Sequence, residues 1–266
     1  MHAQTSQARL PIAAAPAPAE SAQQPVALPS GKFEVARAMK AIRALLADPN
    51  ATDQVFVILD ALGGRILERT TKNMKADPIG RRMLANPPRL VEKLLDRKAL
   101  ATLPENTLAH RYLRFVTNEG ITADGLVAAD VRRRITQSDM AFVQSWLRDT
   151  HDLKHALTGY HGDLIGEAAL LAFDLAQHPS PGLALIVVSA YVRFGAITSE
   201  LEPNARRIVR EGFLRGLRAR TLIQVDYTEA LERDLDELRA ELRLGPEPKY
   251  RPVRAHEVHL APPAAA

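Results

Sequence analysis

The chain has 266 residues, of which 46% are hydrophobic and 25% are charged, and this composition is typical of a folded globular protein. Its formal net charge of +4, from 35 basic and 31 acidic residues, is too small to indicate a nucleic-acid partner. The chain has no cysteine, which excludes disulfides and thiolate metal ligands, and its aromatic content of 5% disfavours stacking on single-stranded bases.

The two ends of the chain have a biased composition. Residues 1–30 contain five prolines among many Ala, Gln and Ser residues, and residues 246–266 repeat the Pro- and Ala-rich character. Such segments bury too little apolar surface to offset the entropy of folding. A single arginine, Arg9, precedes the first apolar stretch, which prolines interrupt, so this arm lacks the pattern of an export or transit signal. We predict a disordered arm over 1–30, one domain over 31–245 and a disordered tail over 246–266.

Helical patterns begin directly after the arm. Residues 31–48 predict a first helix, and Thr52 or Asp53 is a suitable cap for a second. Gly63 and Gly64 predict the end of that second helix. Short helices separated by prolines follow, and Thr107–Thr117 predicts another helix.

The central stretch from Ser138 to Gln177 predicts two helices with a break at Thr158–Asp163. Ser138 and Asp163 are suitable N-caps, because their side chains can accept hydrogen bonds from backbone N–H groups in the first turn. Apolar and imidazole side chains recur at a spacing of four and therefore share one helix face. These residues are Val143, Leu147, His151 and His155.

This stretch contains a candidate metal site. His151, Asp152 and His155 form the pattern H-D-x-x-H, and Glu167 follows after eleven residues. Two imidazoles and two carboxylates on a largely apolar surface are unfavourable unless something compensates them, and a divalent cation is the simplest compensation. A histidine pair at this spacing can also be part of a core, but Glu167 favours the metal interpretation. His161, in the break, is either a further ligand or a polar loop residue, and we favour the second.

The most apolar run, Leu183–Ile197, follows the central stretch. It is shorter than the roughly 20 residues of a membrane-spanning helix and contains Arg193, so we predict a buried helix. A long helix capped by Asn204 is predicted to continue through Leu244. Its arginines form a cationic surface that could contact anionic lipid headgroups or a partner protein. These are Arg206, Arg207, Arg210, Arg215, Arg218 and Arg220.

A leucine stripe occupies the end of this predicted helix, and it indicates either core or the seam of a homodimer. Its members are Leu231, Leu235, Leu238 and Leu242. No segment of the chain shows the alternation of a half-buried strand. The predicted fold is therefore all-α, a single multi-helix domain with disordered Pro/Ala-rich termini.

The segment HDLKHALTGYHGDLIGE resembles the metal-motif region of the ubiquinone-biosynthesis family known as Coq-four. The segment NTLAHRYLRF resembles the family's Thr-Leu-Gly-x-x-Tyr-x-x-Phe pattern, with Ala109 in place of the usual glycine. The residues that match this pattern are Thr107, Leu108, Tyr112 and Phe115. DMAFVQSWLRDTHD resembles the family's approach helix, and Gly216–Leu244 resembles its closing helix. The resemblance covers roughly residues 31–245.

The resemblance implies that the metal residues are His151, Asp152, His155 and Glu167. Asp152 and Glu167 are also the candidate catalytic residues, and the sequence does not distinguish the ligand from the acid or base. Zinc fits this ligand set and the resemblance, and it would act by binding the substrate, since zinc is redox-inert. Iron fits two histidines and one carboxylate if the protein itself handles dioxygen.

The resemblance implies oxidative decarboxylation of a polyprenylated hydroxybenzoate-derived precursor in ubiquinone biosynthesis. A non-catalytic isoprenoid-lipid-binding scaffold that organises the other biosynthetic proteins is the alternative. A metalloprotease-like hydrolase is disfavoured, because Asp rather than Glu follows the first histidine. A polyprenylated substrate and the absence of a spanning segment predict a peripheral membrane location, which we place on the cytoplasmic side of a bacterial-type inner membrane.

Overall fold

The computed structural model describes residues 32–48, 51, 53–122, 138–197 and 202–258. The arm predicted over residues 1–30 and the last eight residues of the predicted tail lie outside these ranges. Within them the chain forms fourteen α-helices and two short 3-10 segments, with no strand, so the all-α prediction is confirmed. No helix in the described ranges combines the length and the apolar character needed to cross a bilayer.

The helices follow one another with short connections. They are α1 (Val35–Ala47), α2 (Asp53–Ala61), α3 (Ile66–Ala76), α4 (Pro78–Ala85), α5 (Leu90–Leu95), α6 (Arg97–Ala101), α7 (Leu108–Asn118), α8 (Asp139–Asp149), α9 (His151–Thr158), α10 (Leu164–Gln177), α11 (Pro181–Ile197), α12 (Ala205–Arg218), α13 (Tyr227–Ala230) and α14 (Leu235–Glu241).

Side-chain caps set several helix starts, as the sequence predicts. The Ser138 hydroxyl accepts a hydrogen bond from Ala141 N at 3.2 Å, and an Asp163 carboxylate oxygen accepts one from Ile165 N at 3.0 Å. The predicted end of the second helix is also confirmed, because Gly64 has a φ of 48° in the turn between α2 and α3. A left-handed φ is unfavourable for other residues, which explains the glycine there.

Two glycines on α12 bring this helix against α10. A Cβ at Gly212 would collide with the carbonyl oxygen of Ala169, and a Cβ at Gly216 would collide with that of Phe173. Close approach of two backbones requires small residues at the crossing. Because Glu167 lies on α10, this contact also fixes the position of one candidate metal ligand.

The apolar helix α11 is not buried as predicted. Val188 and Val192 are 59% and 62% exposed, and Tyr191 is 39% exposed. The opposite side of the helix, which includes Ile186, Val187 and Phe194, supplies the buried contacts. Hydrophobicity alone does not report on burial when a helix is apolar all round, because the packing partners cover only one of its sides.

The long basic helix predicted from Asn204 to Leu244 is also wrong, since α12 ends at Arg218. The chain then turns through a 3-10 segment at Leu222–Gln224 before α13 and α14 form. The leucine stripe is core rather than an exposed dimer seam, because its members are at most 8% exposed. They are Leu231, Leu235, Leu238 and Leu242.

The tail predicted from residue 246 is wrong over residues 246–258, which pack on the domain and are called the C-terminal strap below. Val253 is fully buried, and Val258 is 7% exposed. The backbone of Val253 accepts a hydrogen bond from Leu164 N at 3.0 Å, at the start of α10. The packed domain therefore extends past the predicted boundary at residue 245.

Candidate metal centre

The predicted ligands come from two short helices that meet at a tight turn. His151 and His155 lie one turn apart on α9, and Glu167 lies in the first turn of α10. The sequence predicts one continuous helix from Ser138 to this turn, but Thr150 separates α8 from α9. The separation is mild, because Thr150 O still accepts a hydrogen bond from Lys154 N at 2.9 Å.

Three side chains converge at this turn. His151 Nε2 and His155 Nε2 are 3.2 Å apart, and they lie 3.3 Å and 3.2 Å from the two Glu167 carboxylate oxygens. A tetrahedral ion with ligand bonds of ~2.0–2.1 Å separates its ligands by ~3.3–3.4 Å. The three side chains therefore already have the spacing that a bound divalent cation requires, and this structure fits the predicted metal.

The ring of His155 is fixed on two sides. Its Nδ1 lies 3.1 Å from the carbonyl oxygen of Tyr160, which can only accept a hydrogen bond, so Nδ1 carries the proton. In the neutral ring, Nε2 then presents its lone pair to the ligand cluster. Phe115 stacks on the ring with centroids 4.9 Å apart and planes inclined by 12°. Phe115 is one of the residues in the resembling α7 segment.

The charges at the site favour a positive ion between the three groups. Burial would raise the pKa of the Glu167 carboxyl, but hydrogen bonds with His151 and His155 hold this pKa far below its usual value. Burial would lower the pKa of His151, but the hydrogen bond and charge of Glu167 raise it. A carboxylate beside two imidazoles is thus stabilised by a shared proton or by a cation.

The centre is accessible from one direction. The His155 side chain is fully buried, whereas the side chains of His151 and Glu167 are 32% and 43% exposed. An ion held here would keep open positions on the side of His151 and Glu167. Open positions distinguish catalytic metal sites from closed structural ones.

Asp152 lies outside the converging set, which the structure restricts to His151, His155 and Glu167 among the described residues. Burial raises the pKa of Asp152, against the opposing influence of the two histidines. The hydroxyl of Tyr112 is buried without a hydrogen-bond partner among the described residues, and the charge of Asp152 adds to burial in raising its pKa. Whether Asp152 is a ligand, an acid or a base stays a prediction.

His161 is not part of the cluster. It is exposed in the loop between α9 and α10, where its ring contacts Tyr250 edge-on at 5.7 Å. The interpretation of His161 as a polar loop residue is thus favoured by the structure.

The C-terminal strap holds this loop. Tyr250 Oη donates to an Asp163 carboxylate oxygen at 2.9 Å, and Val253 N donates to the other at 3.0 Å. Arg254 donates to Gly162 O at 3.0 Å and forms an ion pair with Glu119. The sequence analysis missed Tyr250 and Arg254, because they lie in a Pro-rich segment without helical periodicity. The prediction of Asp163 as a buried cap was the one signal that pointed to a partner there.

Comparisons with known proteins agree with the site and the fold. A family model described as Coenzyme Q (ubiquinone) biosynthesis protein Coq4 matches residues 29–248. The mitochondrial ubiquinone biosynthesis protein coq-4 of Neurospora crassa is 33% identical over 216 residues, which are 80% of this chain and 60% of that protein. The mitochondrial protein coq4 of Penicillium rubens is 33% identical over 214 residues, which are 79% of this chain and 72% of that protein.

A solved structure shares the fold. A crystal structure of a protein assigned to ubiquinone biosynthesis, from Nostoc punctiforme, aligns with a TM-score of 0.54 at 22% identity. The alignment covers 81% of this chain and all of that chain. The present chain spans about 60% of the length of the Neurospora relative, and the alignment with the relative from Eremothecium gossypii spans 58% of that protein.

Proposed function

The chain belongs to the Coq4 family of coenzyme Q (ubiquinone) biosynthesis proteins, and we propose that it acts in ubiquinone biosynthesis as a metal-dependent oxidative decarboxylase. The observation that carries the enzymatic proposal is the convergence of His151, His155 and Glu167 within 4.8 Å, on an accessible side of the domain. The proposed substrate is a polyprenylated hydroxybenzoate-derived ring, whose carboxylate-bearing carbon loses carbon dioxide and gains a hydroxyl. This change is a two-electron oxidation, for which dioxygen is the proposed oxidant.

His151, His155 and Glu167 would hold the ion. When bound, it supplies a Lewis acid that stabilises negative charge on a substrate carboxylate or phenolate. His155 contributes a fixed lone pair, because Tyr160 O holds the proton on its other nitrogen. The exposed edges of His151 and Glu167 leave room for substrate oxygens at the open positions.

Asp152 is the proposed acid or base. It is half-buried and follows the ligand His151 directly, yet it lies outside the ligand cluster. Burial raises the pKa of its carboxyl, so this group can hold a proton more readily than an exposed aspartate. In this proposal Glu167 serves as a ligand, and Asp152 moves protons to and from the ring.

The metal is proposed to be zinc or iron. Two histidines and a carboxylate suit both ions. Elemental analysis of protein purified without chelators or added metal separates these two from a protein that binds no metal. Absence of stoichiometric metal, together with an unaltered activity of His155→Ala, would remove the metal-dependent proposal.

A membrane surface is the proposed location, and we assign it to the face formed by α11 and α12, called the α11–α12 face. Exposed apolar residues of both helices lie beside arginines there, and Arg206 joins the helices by donating to Tyr191 O at 2.9 Å and Val192 O at 2.8 Å. Apolar side chains bordered by long cationic ones are typical of helices that rest at a bilayer surface. The members are Val188, Tyr191, Val192, Arg206, Arg210, Phe213 and Leu217.

Flotation with vesicles containing phosphatidylserine tests this location. We expect wild type to float, and Val188→Asp/Val192→Asp to remain at the bottom, because it places charge on the contact surface. Ile79→Asp is the matched control, since Ile79 is an exposed apolar residue on α4. Flotation of the double variant, or self-association of wild type that this variant abolishes without lipid, would contradict the assignment.

The compartment is a separate proposal. The Neurospora and Penicillium relatives are named as mitochondrial proteins. The bacterial-type inner membrane expected from the sequence stays a prediction, and fractionation of the native cells would test it. Other ubiquinone-biosynthesis proteins are proposed partners at that membrane.

Complementation tests the function as a whole. Cells that lack their own family member would receive wild type, His155→Ala or the control His161→Ala, and their quinones would be identified by mass. Rescue by wild type and His161→Ala alone supports the metal-dependent enzyme. Rescue by all three would favour the scaffold alternative, and rescue by none would contradict the ubiquinone role.

A further inference from the structure

The carboxyl end of the ligand helix α9 is capped by arginines from two distant helices. The last four carbonyls of any α-helix lack partners within the helix. In α9 the first of these, His155 O, accepts from Gly159 N at 2.9 Å. Arg239 of α14 donates to the next two carbonyls, those of Ala156 and Leu157, at 3.2 Å and 2.8 Å.

The last carbonyl is satisfied by a second arginine. Arg215 of α12 donates to Thr158 O at 3.0 Å, and its Nε donates to Leu244 O at 3.0 Å. All four terminal carbonyls of this helix therefore have partners, and two guanidinium charges lie at its negative end. Cations at this end of a helix interact favourably with the helix dipole.

Both arginines are held in place. The Arg239 side chain is 11% exposed and forms an ion pair with Glu247, a residue of the C-terminal strap. The Arg215 guanidinium lies 5.0 Å from the centroid of the Tyr160 ring. Flat guanidinium groups can bond to oxygens along their edge while their face rests on an aromatic ring, which an ammonium cannot reproduce.

This arrangement connects directly to the ligand His155. The chain turns at Gly159, which has a φ of 83°, and the next residue is Tyr160, whose carbonyl oxygen lies 3.1 Å from His155 Nδ1. Arg215 contacts the chain on both sides of this turn, through Thr158 O and the Tyr160 ring. Movement of the turn would therefore move the oxygen that sets the tautomer of His155.

We propose that Arg215 and Arg239 are positioning residues of the metal centre, which fix the turn after α9 and thereby keep the lone pair of His155 Nε2 directed at the ion. This inference rests on the metal-dependent function proposed above. It predicts that changes in α12 and α14 alter metal affinity, although neither arginine belongs to the converging ligand set.

Titration of the purified full-length protein with Co²⁺ tests the inference, because the visible absorption of this ion reports both affinity and coordination geometry. Arg215→Ala and Arg239→Ala are each expected to weaken Co²⁺ binding ~10-fold or more and to shift its absorption bands, an effect of the size found for residues that orient ligands. The rise in Tm on adding Co²⁺ is expected to shrink in step.

The controls are arginines from the same parts of the chain that form exposed ion pairs. Arg207→Ala removes a pair with Glu211 on α12, and Arg233→Ala removes a pair with Glu241 of α14. Both are expected to bind Co²⁺ within twofold of wild type. If the alanine variants do not fold, Arg215→Lys and Arg239→Lys keep the charge but lose the guanidinium geometry, and they are expected to show the same loss.

Two results would overturn the inference. One is a set of folded variants that lose stability without Co²⁺ but keep the affinity and spectrum of wild type, which would make the arginines merely structural. The other applies if wild type binds no Co²⁺, in which case the proposed function fails first. The ¹⁵N shifts of His155 then decide, because unchanged protonation of Nδ1 in the variants contradicts the positioning role.

Discussion

The ligand helices α9 and α10 and the C-terminal strap shape the same metal centre, but they differ in how they are encoded. The histidines continue a periodic stripe, and their partner Glu167 follows on the next helix, so their role is visible in the sequence. The strap has no periodicity, and its order depends on contacts with Asp163, Gly162 and Glu119. The difference shows that a site can be identified by residues whose geometry depends on a segment that local patterns assign to disorder.

The largest expected effect separates the ligands from everything that supports them. His155→Ala removes a fully buried ligand, and we expect loss of stoichiometric metal with an affinity reduced roughly 100-fold or more, beyond the effect of a second residue that only orients a ligand. Metal content measured by mass spectrometry is the test. His161→Ala is the control, and equal metal loss in both variants would contradict the distinction between ligand and loop histidine.

Removing the strap should affect stability before chemistry. A chain that ends at Gly245 loses the burial of Val253 and Val258, together with the bonds to Asp163. Full burial of one valine contributes about 1.5–3 kcal/mol, so we expect unfolding free energy to fall by about 3 kcal/mol or more. Urea denaturation would measure it. A midpoint within error of wild type would mean that the strap is dispensable, as the sequence predicted.

A single hydroxyl connects the strap to the loop. Tyr250→Phe removes the hydrogen bond to Asp163 and the one that Tyr250 Oη accepts from His161 N at 3.0 Å. Removing a buried hydrogen-bond partner destabilises by about 1–2 kcal/mol. The same denaturation experiment would show the change, and Tyr191→Phe, on the exposed side of α11, provides a matched control that should be neutral.

The smallest expected effect concerns the ion pair between Glu119 and Arg254. Burial raises the pKa of Glu119, but the hydrogen bond from Arg254 outweighs it and leaves this pKa below its usual value. A lowered folded pKa stabilises the protein above the unfolded pKa of about 4.3, and this contribution disappears as pH falls through the folded value. The Arg254 side chain is 39% exposed, so solvent screening keeps the effect near ~1 kcal/mol.

Stability measured from pH 7 to pH 3 for wild type and Glu119→Gln tests this sign. The two proteins should differ most near pH 7 and converge at low pH. Divergence on acidification would show that the carboxyl is instead stabilised in its protonated form.

The fold class, the helix caps at Ser138 and Asp163, and the pairing of His151 and His155 with Glu167 follow from the sequence. Each is a local property: a cap needs only the next turn, and one helical turn places the histidines side by side. Glu167 was identifiable because it lies in the first turn of a helix that starts at a predictable cap. Asp152, also in the motif, shows the limit, since adjacency in sequence did not place it in the ligand cluster.

Tertiary structure alone decided which side of α11 is exposed, where the helix after Asn204 ends, and that residues 246–258 fold onto the domain. It also decided that Arg215 is not part of the predicted cationic surface, because it points inward to the end of α9. These outcomes depend on partners distant in the chain. The free energy that orders such residues comes from burial and from hydrogen bonds that the local sequence does not contain.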